Sequence, residues 1–251
     1  GKEMGFVFVV RDRTEQEKLE QEVIRQNHLA GLGRLAAGIA HEIRNPLASI
    51  TGSLELVRKE LGDDIEGDLG ELLEIVFSET TRLNELITSL LNYTRIRPLN
   101  FMEMDLGIFI YETVTFVKAD PRAEAKEIIF ALPDDEVLCS FDPDALRQVL
   151  LNLIINALEV SAVTRVELSL KSTGKAHVIW VEDNGPGIDP ESRRLLFEPF
   201  YTTKEGGTGL GLAIAAKQVE KHSGRINIDE SRLGGAKFAI TLPRQRSEEG
   251  Q

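Results

Sequence analysis

Ala40-His41-Glu42-Ile43-Arg44-Asn45-Pro46-Leu47 decides how the first part of this chain is read. Apolar residues flank it at Leu29, Leu32, Ala36, Ile39, Ile43, Leu47, Ile50, Leu54, Val57 and Leu61, three or four apart, which is the stripe of a long amphipathic helix with one core-facing side. His41 is off that stripe. It stands two residues from both Ile39 and Ile43, so at about 100° per residue it points about 200° away, toward solvent. Asn45, one turn on, shares its face, and Glu42 and Arg44 are close by. Pro46 sits inside the helix, removes the N–H that would bond the Glu42 carbonyl, and costs about 3 kcal/mol. An idle surface helix has no use for such a residue, so the pattern asks for a task.

The chain extends from this stretch in both directions. Upstream, Gly5-Phe6-Val7-Phe8-Val9-Val10 reads as a strand, and Thr14 with Glu17 makes a capping box at the start of a charged helix. Downstream, Gly62 to Asp68 is rich in breakers, and a second helix follows with Leu69, Leu72, Val76, Thr80, Leu83, Ile87, Leu90 and Thr94 as its stripe. Leu73, Leu86 and Leu91 widen that stripe, and the helix stops before Pro98, which disfavours the helical conformation at Arg97. Two such helices joined by a short turn carry more apolar surface than they can cover, and pairing of two copies into a four-helix bundle would cover it.

From Phe101 the pattern changes. Leu106–Val117 reads as a helix, residues 127–132 and 137–141 as strands, and Asp142-Pro143 as the N-cap and first residue of a helix carrying Leu146, Val149, Leu150, Leu153 and Ile154. Residues 163–170, 177–181, 225–229 and 236–242 alternate as strands, and 209–222 is helical. The expected class is α+β: an N-terminal two-helix hairpin forming a dimeric four-helix bundle, then an α/β sandwich with helices on one face of a mixed sheet.

Composition narrows the function. The chain has 251 residues and a formal net charge of −12, which argues against a nucleic-acid partner, since phosphates demand a basic face. Its longest strongly apolar run, Phe6 to Val10, is too short to cross a bilayer, so no membrane segment is expected in this chain. A single cysteine, Cys139, excludes an internal disulfide and fits a reducing cytoplasm, while membrane attachment of a longer protein stays open.

Three clusters follow in order in the second half. Asn152 and Asn156 are four apart on one helical face; Glu182-Asp183-Asn184-Gly185-Pro186-Gly187-Ile188 follows a strand; Gly206-Gly207-Thr208-Gly209-Leu210-Gly211-Leu212 runs into a helix whose free N–H groups suit a phosphate. Singly, each has an ordinary reading as a surface amide, a turn or a flexible loop. Their conjunction does not. No Walker A sequence and no Gly-x-Gly-x-x-Gly occurs.

His41-Glu42-x-x-Asn45-Pro46 resembles the H-box of sensor histidine kinases, and the three clusters resemble the N, G1 and G2 boxes of the GHKL ATP-binding fold, with Phe197-Glu-Pro-Phe200-Tyr-Thr-Thr-Lys204 resembling its F box. The resemblance implies a phosphoacceptor at His41, oriented and deprotonated by Glu42, and an Asn45 that helps a partner regulator lose its phosphate. It implies ATP and Mg²⁺ as cofactors, with Mg²⁺ on Asn156 supported by Asn152, the adenine amino group on Asp183, and the base approached at Gly185 and Gly187. Gly207, Thr208, Gly209, Leu210 and Gly211 would line the triphosphate, under a lid from about Asp189 to Gly206, and Lys204 would either reach a phosphate or stand as a solvated lysine. Tyr201, Phe197 and Phe200 would anchor the lid by packing.

In hydrolysing members of that fold a glutamate stands four residues before the Mg²⁺-binding asparagine. Here the position is Asn152, which cannot take a proton from water. The phosphoryl group would therefore survive to reach His41 and then an aspartate in the receiver domain of a response regulator. The implied domains are 1–13, the end of a PAS-like sensor; 14–98, the homodimeric phosphotransfer hairpin; and 101–246, the ATP-binding domain. The run Leu35 to Ile50 is most similar to the NtrB-like group, which points to an NtrC-like regulator. The alternatives are a GHKL-type ATPase and an inactive ATP-binding dimer scaffold. His28 and His177 read as incidental, and His222 as a complement to a helix dipole.

Overall fold

The computed structural model describes residues 43–60, 68–94, 97–204 and 207–244. The upstream strand and capping box, the turn after Leu61, and His41 and Glu42 lie outside them. Two units are present, Gly1–Ile96 and Arg97–Gln251.

In the first unit, helix α1 spans residues 43–60 and α2 spans Asp68–Thr94. They run antiparallel: Leu47 near the described start of α1 packs on Ile87 near the end of α2, with Leu91 beside them, and Arg58 meets Glu74 at 3.4 Å at the opposite end. The stripes are only partly covered within one chain. Leu47, Ile87 and Thr80 are buried, but Ile50, Val57, Leu72, Val76 and Leu83 stand exposed. Thr80 and Thr94 tolerate burial because each hydroxyl donates to a carbonyl one turn back, Val76 at 2.7 Å and Leu90 at 2.9 Å.

The second unit is an α/β sandwich. β1 (Met102–Asp105) pairs antiparallel with β3 (Leu138–Phe141) in a small sheet. A five-stranded sheet runs in the order β2 (Glu127–Ala131), β4 (Arg165–Ser172), β5 (Ala176–Asp183), β7 (Ala236–Pro243), β6 (Arg225–Glu230). Only the β2–β4 pair is parallel. Val166, Leu168, Leu170, Ile179, Val181, Ile240 and Leu242 all bury into one core with residues of α3 (Leu106–Val117), α4 (Pro143–Leu158) and α6 (Gly211–Lys221). The period-two alternation of β4 and β5 puts those side chains on the helix-covered face. β1 and the short helix α5 (Pro190–Arg193) were not expected from the sequence.

Two aspartates fix the layers. Asp105 caps α3 through Oδ1, which accepts the Ile108 N–H at 2.7 Å, and its Oδ2 accepts the Val137 N–H at 2.8 Å. Asp142 caps α4 in the same way, accepting from Ala145 at 3.0 Å and Asn100 at 2.7 Å. Burial pushes its carboxyl pKa up, but the N–H donors of Ala145 and Asn100 and the charge of Arg97 outweigh that and hold it below the ordinary range.

His222 differs from its expected role. It is buried at 5% exposure; its Nδ1–H donates to the Gln218 carbonyl at 2.7 Å, while its Nε2 accepts the Asp142 N–H at 3.0 Å. An Nε2 that accepts carries no proton, so the ring is a neutral brace between the end of α6 and the start of α4, not a charge at a helix end. Burial lowers its pKa accordingly.

Candidate active site

α4 and α6 lie side by side, and their contact assembles the centre of the site. The Asn152 carboxamide N–H donates to the Gly211 carbonyl at 2.8 Å. Because a carbonyl can only accept, this bond also fixes which way the amide faces. Gly211 has no side chain to intervene: a Cβ there would stand 3.8 Å from Asn152 and 4.0 Å from the Asn156 amide nitrogen. Asn152, Asn156 and the first residue of α6 therefore share one small space. No side chain caps α6, in contrast to α3 and α4, so the N–H groups of its first turn have no capping partner. A helix start of that kind suits an anion, with the dipole adding to it.

The approach to α6 is held by backbone geometry. Gly209 has φ +64°, and a Cβ on it would fall 2.5 Å from the Phe200 carbonyl carbon; the Phe200 N–H donates to the Gly209 carbonyl at 3.0 Å. Only glycine fits both the conformation and the approach. Thr208 Oγ1 accepts the Leu210 N–H at 3.3 Å. Leu210 itself is 0% exposed, so its side chain belongs to the core and only its backbone faces the site. Phe200 also departs from expectation: it is 58% exposed with φ +67°, and it is tied to Gly209 through its backbone rather than by ring packing. Tyr201 ties residues 189–204 together from within, donating its hydroxyl to Ser192 Oγ at 3.3 Å.

Asp183 ends β5 and is 8% exposed. Its Oδ1 accepts N–H groups of Gly185 at 2.8 Å and Ala236 at 3.1 Å, which fixes the carboxylate at the mouth of the strand. Gly185 is required there, since a Cβ would come 2.7 Å from the Val163 side chain. The sequence reading missed Gly235, where a Cβ would stand 2.1 Å from Asp183 Oδ1; the adjacent Gly234-Gly235 pair before β7 is the signal that was available. Gly187 has φ +76° and turns the loop away from the strand.

Lys204 reaches across to α4. Its Nζ donates to the Asn156 backbone carbonyl at 3.0 Å, to Asn156 Oδ1 at 3.3 Å, and to Glu159 Oε2 at 2.7 Å. Arg122 meets the other Glu159 oxygen at 3.3 Å and pairs with Asp120 at 2.7 Å. The hydrogen-bonded Arg122 pulls the Asp120 carboxyl down to about 2. Glu159, which sequence reasoning also missed, carried no motif to mark it. Asn45 is exposed on α1. Glu205 and Gly206 lie outside the described residues.

Residues 141–246 match the family described as histidine kinase-, DNA gyrase B-, and HSP90-like ATPase, and residues 32–99 match the His Kinase A (phospho-acceptor) domain. The signal transduction histidine-protein kinase AtoS of Escherichia coli (strain K12) is 33% identical over 245 residues, 97% of this chain and 40% of that protein. The crystal structure of full-length ShkA in complex with AMPPNP superimposes with a TM-score of 0.67 at 26% identity, over 84% of this chain and 45% of the other. Histidine kinase ThkA in complex with response regulator protein TrrA gives 0.65 at 29% identity, over 94% and 68%. The chain spans about half or less of the length of the curated relatives it matches. Among the described residues no helix is long and apolar enough to cross a membrane.

Proposed function

Since the chain belongs to the sensor histidine kinases of two-component systems, we propose that it phosphorylates itself on His41 with ATP and passes the phosphoryl group to an aspartate of a response regulator. The observation that carries this reading is the Asn152–Asn156–Gly211 contact at the uncapped start of α6. It brings an amide oxygen for a cation and a helix terminus for phosphates into one place, in a chain that also holds His-Glu-x-x-Asn-Pro.

The donors fit Mg²⁺, which takes oxygen ligands and needs few from the protein when phosphates supply the rest. Asn156 Oδ1 already accepts a cationic group, the Lys204 ammonium. Asn156 would hold the metal, and the metal would neutralise charge on the transferring phosphoryl group. Asn152, whose N–H is committed to Gly211, supports it through the carbonyl side of its amide. Asp183, fixed by two backbone donors, would accept the adenine amino group, and Gly185 and Gly187 admit the ring. The first turn of α6, with Gly207, Thr208, Gly209, Leu210 and Gly211, would take the phosphates through its backbone.

The acceptor is a neutral His41 nitrogen, with Glu42 orienting the ring and taking its proton. Nothing at Asn152 can activate water, which favours transfer to protein over hydrolysis. Asn45, four residues after His41 in the sequence, would position water against the phosphorylated regulator and so give a phosphatase activity. The exposed apolar stripes of α1 and α2 fit a homodimeric bundle. The NtrC-like identity of the regulator, the division at 14–98 and 101–246, a PAS-like residues 1–13 and a cytoplasmic setting belong to the same proposal.

Incubation of the chain with γ-labelled ATP tests it. Label that is acid-labile and base-stable, absent from His41→Gln although that variant still binds nucleotide, is the expected result. Free phosphate alone would make the protein an ATPase, and neither product a scaffold.

A further inference from the structure

Lys204 occupies the oxygen that the proposed function gives to a metal. Its ammonium is shared among the Asn156 carbonyl, Asn156 Oδ1 and the Glu159 carboxylate, at 3.0, 3.3 and 2.7 Å. A Mg²⁺ on the same Oδ1, with its ligand distance of about 2.1 Å, would stand within about 5.4 Å of that nitrogen. Like charges at such a separation repel, and the pair is only partly in water, with Lys204 and Glu159 side chains 35% and 39% exposed. Lysine and metal are thus alternative occupants of Asn156.

We propose that Glu159 is the resting partner of Lys204, that together they latch the lid segment onto the N-box asparagine, and that Mg²⁺–nucleotide enters by exchanging with the ammonium. This rests on the nucleotide reading given above. The exchange leaves each charged group with a partner of opposite sign. On entry the divalent cation replaces one positive group at Asn156 Oδ1, the triphosphate offers the displaced ammonium a new anionic partner, and Glu159 keeps Arg122 at 3.3 Å. Glu159 is not left unpaired, so release of Lys204 costs little there. Release also moves the end of the lid, because the Lys204 carbonyl accepts the Gly207 N–H at 3.2 Å and its own N–H donates to Thr202 Oγ1 at 3.1 Å. Glu159 is a positioning residue here: it touches neither nucleotide nor metal and acts only through Lys204.

A half-exposed ion pair has a modest effect, so the shifts expected are small and specific. In the full-length chain, carbodiimide should join Lys204 to Glu159 as a zero-length cross-link detectable by peptide mass spectrometry, and saturating Mg²⁺–AMPPNP should reduce its yield several-fold. Glu159→Gln should tighten AMPPNP binding by about three- to fivefold, the range of a surface pair. Asp120→Asn removes the same unit of charge from the same network without touching Lys204, and it should leave affinity within about twofold. A cross-link that is absent, or whose yield ignores saturating nucleotide, overturns the latch. Equal tightening by Asp120→Asn and Glu159→Gln overturns it too, since the effect would then be long-range charge. If the wild-type chain binds no AMPPNP at all, the nucleotide reading itself fails and the exchange with it. That case is recognised because the cross-link still forms in the absence of nucleotide.

Discussion

In Arg97–Gln251 a core of large apolar side chains closes within one chain: Phe109, Leu150, Ile179 and Ile240 are all 0% exposed, while Ile108 and Phe116 on the outer side of α3 stand 62% and 68% exposed. In the helical hairpin, Ile50, Val57, Leu72 and Ile75, which lie on equally regular helices, remain 43% to 58% exposed. A sheet with helices laid on one face closes its own core, whereas two helices cannot, and their uncovered stripes are an offer to another surface. The difference separates two jobs. On the proposed function, the self-contained unit would bind nucleotide alone, and the hairpin would need a second copy before it could present a stable face for phosphoryl transfer.

Charging the stripe gives the largest expected effect. Leu72→Glu combined with Ile75→Glu would bury unpaired carboxylates in the dimer, at several kcal/mol, and should raise its dissociation constant by at least about a hundredfold in sedimentation equilibrium. A double variant that stays dimeric would remove the ground for the contrast. The next effect lies inside the closed unit. His222→Leu strands the Asp142 N–H and takes from the Gln218 carbonyl the shorter of its two bonds, and should destabilise Arg97–Gln251 by about 1–3 kcal/mol in urea unfolding.

His177 sharpens the point from the other side. It is 1% exposed with neither ring nitrogen hydrogen-bonded, and burial together with the charge of Arg244 lowers its pKa. His177→Leu should therefore stabilise the unit, by about 1 kcal/mol. Both histidines have folded pKa values below the ordinary 6.5, so the unfolded chain takes up protons more readily. Stability from their neutral burial is full above about pH 6.5 and falls as the pH drops below it. His177→Leu should flatten that slope; an unchanged acid profile would show that the ring is not held neutral. The smallest effect expected is on nucleotide affinity when the hairpin is removed: residues 97–251 alone should bind AMPPNP within about twofold of the full chain, well under the tenfold that 1.4 kcal/mol represents.

Much of this was legible in the residues, for identifiable reasons. Asp142-Pro143 announces the start of α4, and the spacing of Asn152 and Asn156 sets both amides on one face, because capping and helical period are local. Gly187 was visible as a turn glycine and Gly209 as part of a glycine-rich loop, and both have positive φ. What escaped is what only the tertiary fold brings together. β1 is four residues of Met-Glu-Met-Asp whose strand character comes from pairing with β3, more than thirty residues away. Glu159 acquires meaning from Lys204, and Gly235 from Asp183, through loops that close in space and leave no periodic trace. The role of His222 was misjudged because a charge at a helix end can be inferred locally, while a neutral ring accepting an N–H from another helix cannot.

The fate of the terminal phosphoryl group separates a histidine kinase from an ATPase. A single-turnover reaction with substoichiometric γ-labelled ATP and Mg²⁺, quenched in base and counted for protein-bound and free label, measures that partition directly. The expected result is most of the label on the wild-type chain at His41, with His41→Gln leaving the ATP largely intact. Release of most of the label as inorganic phosphate, at the same rate in wild type and His41→Gln, would contradict it.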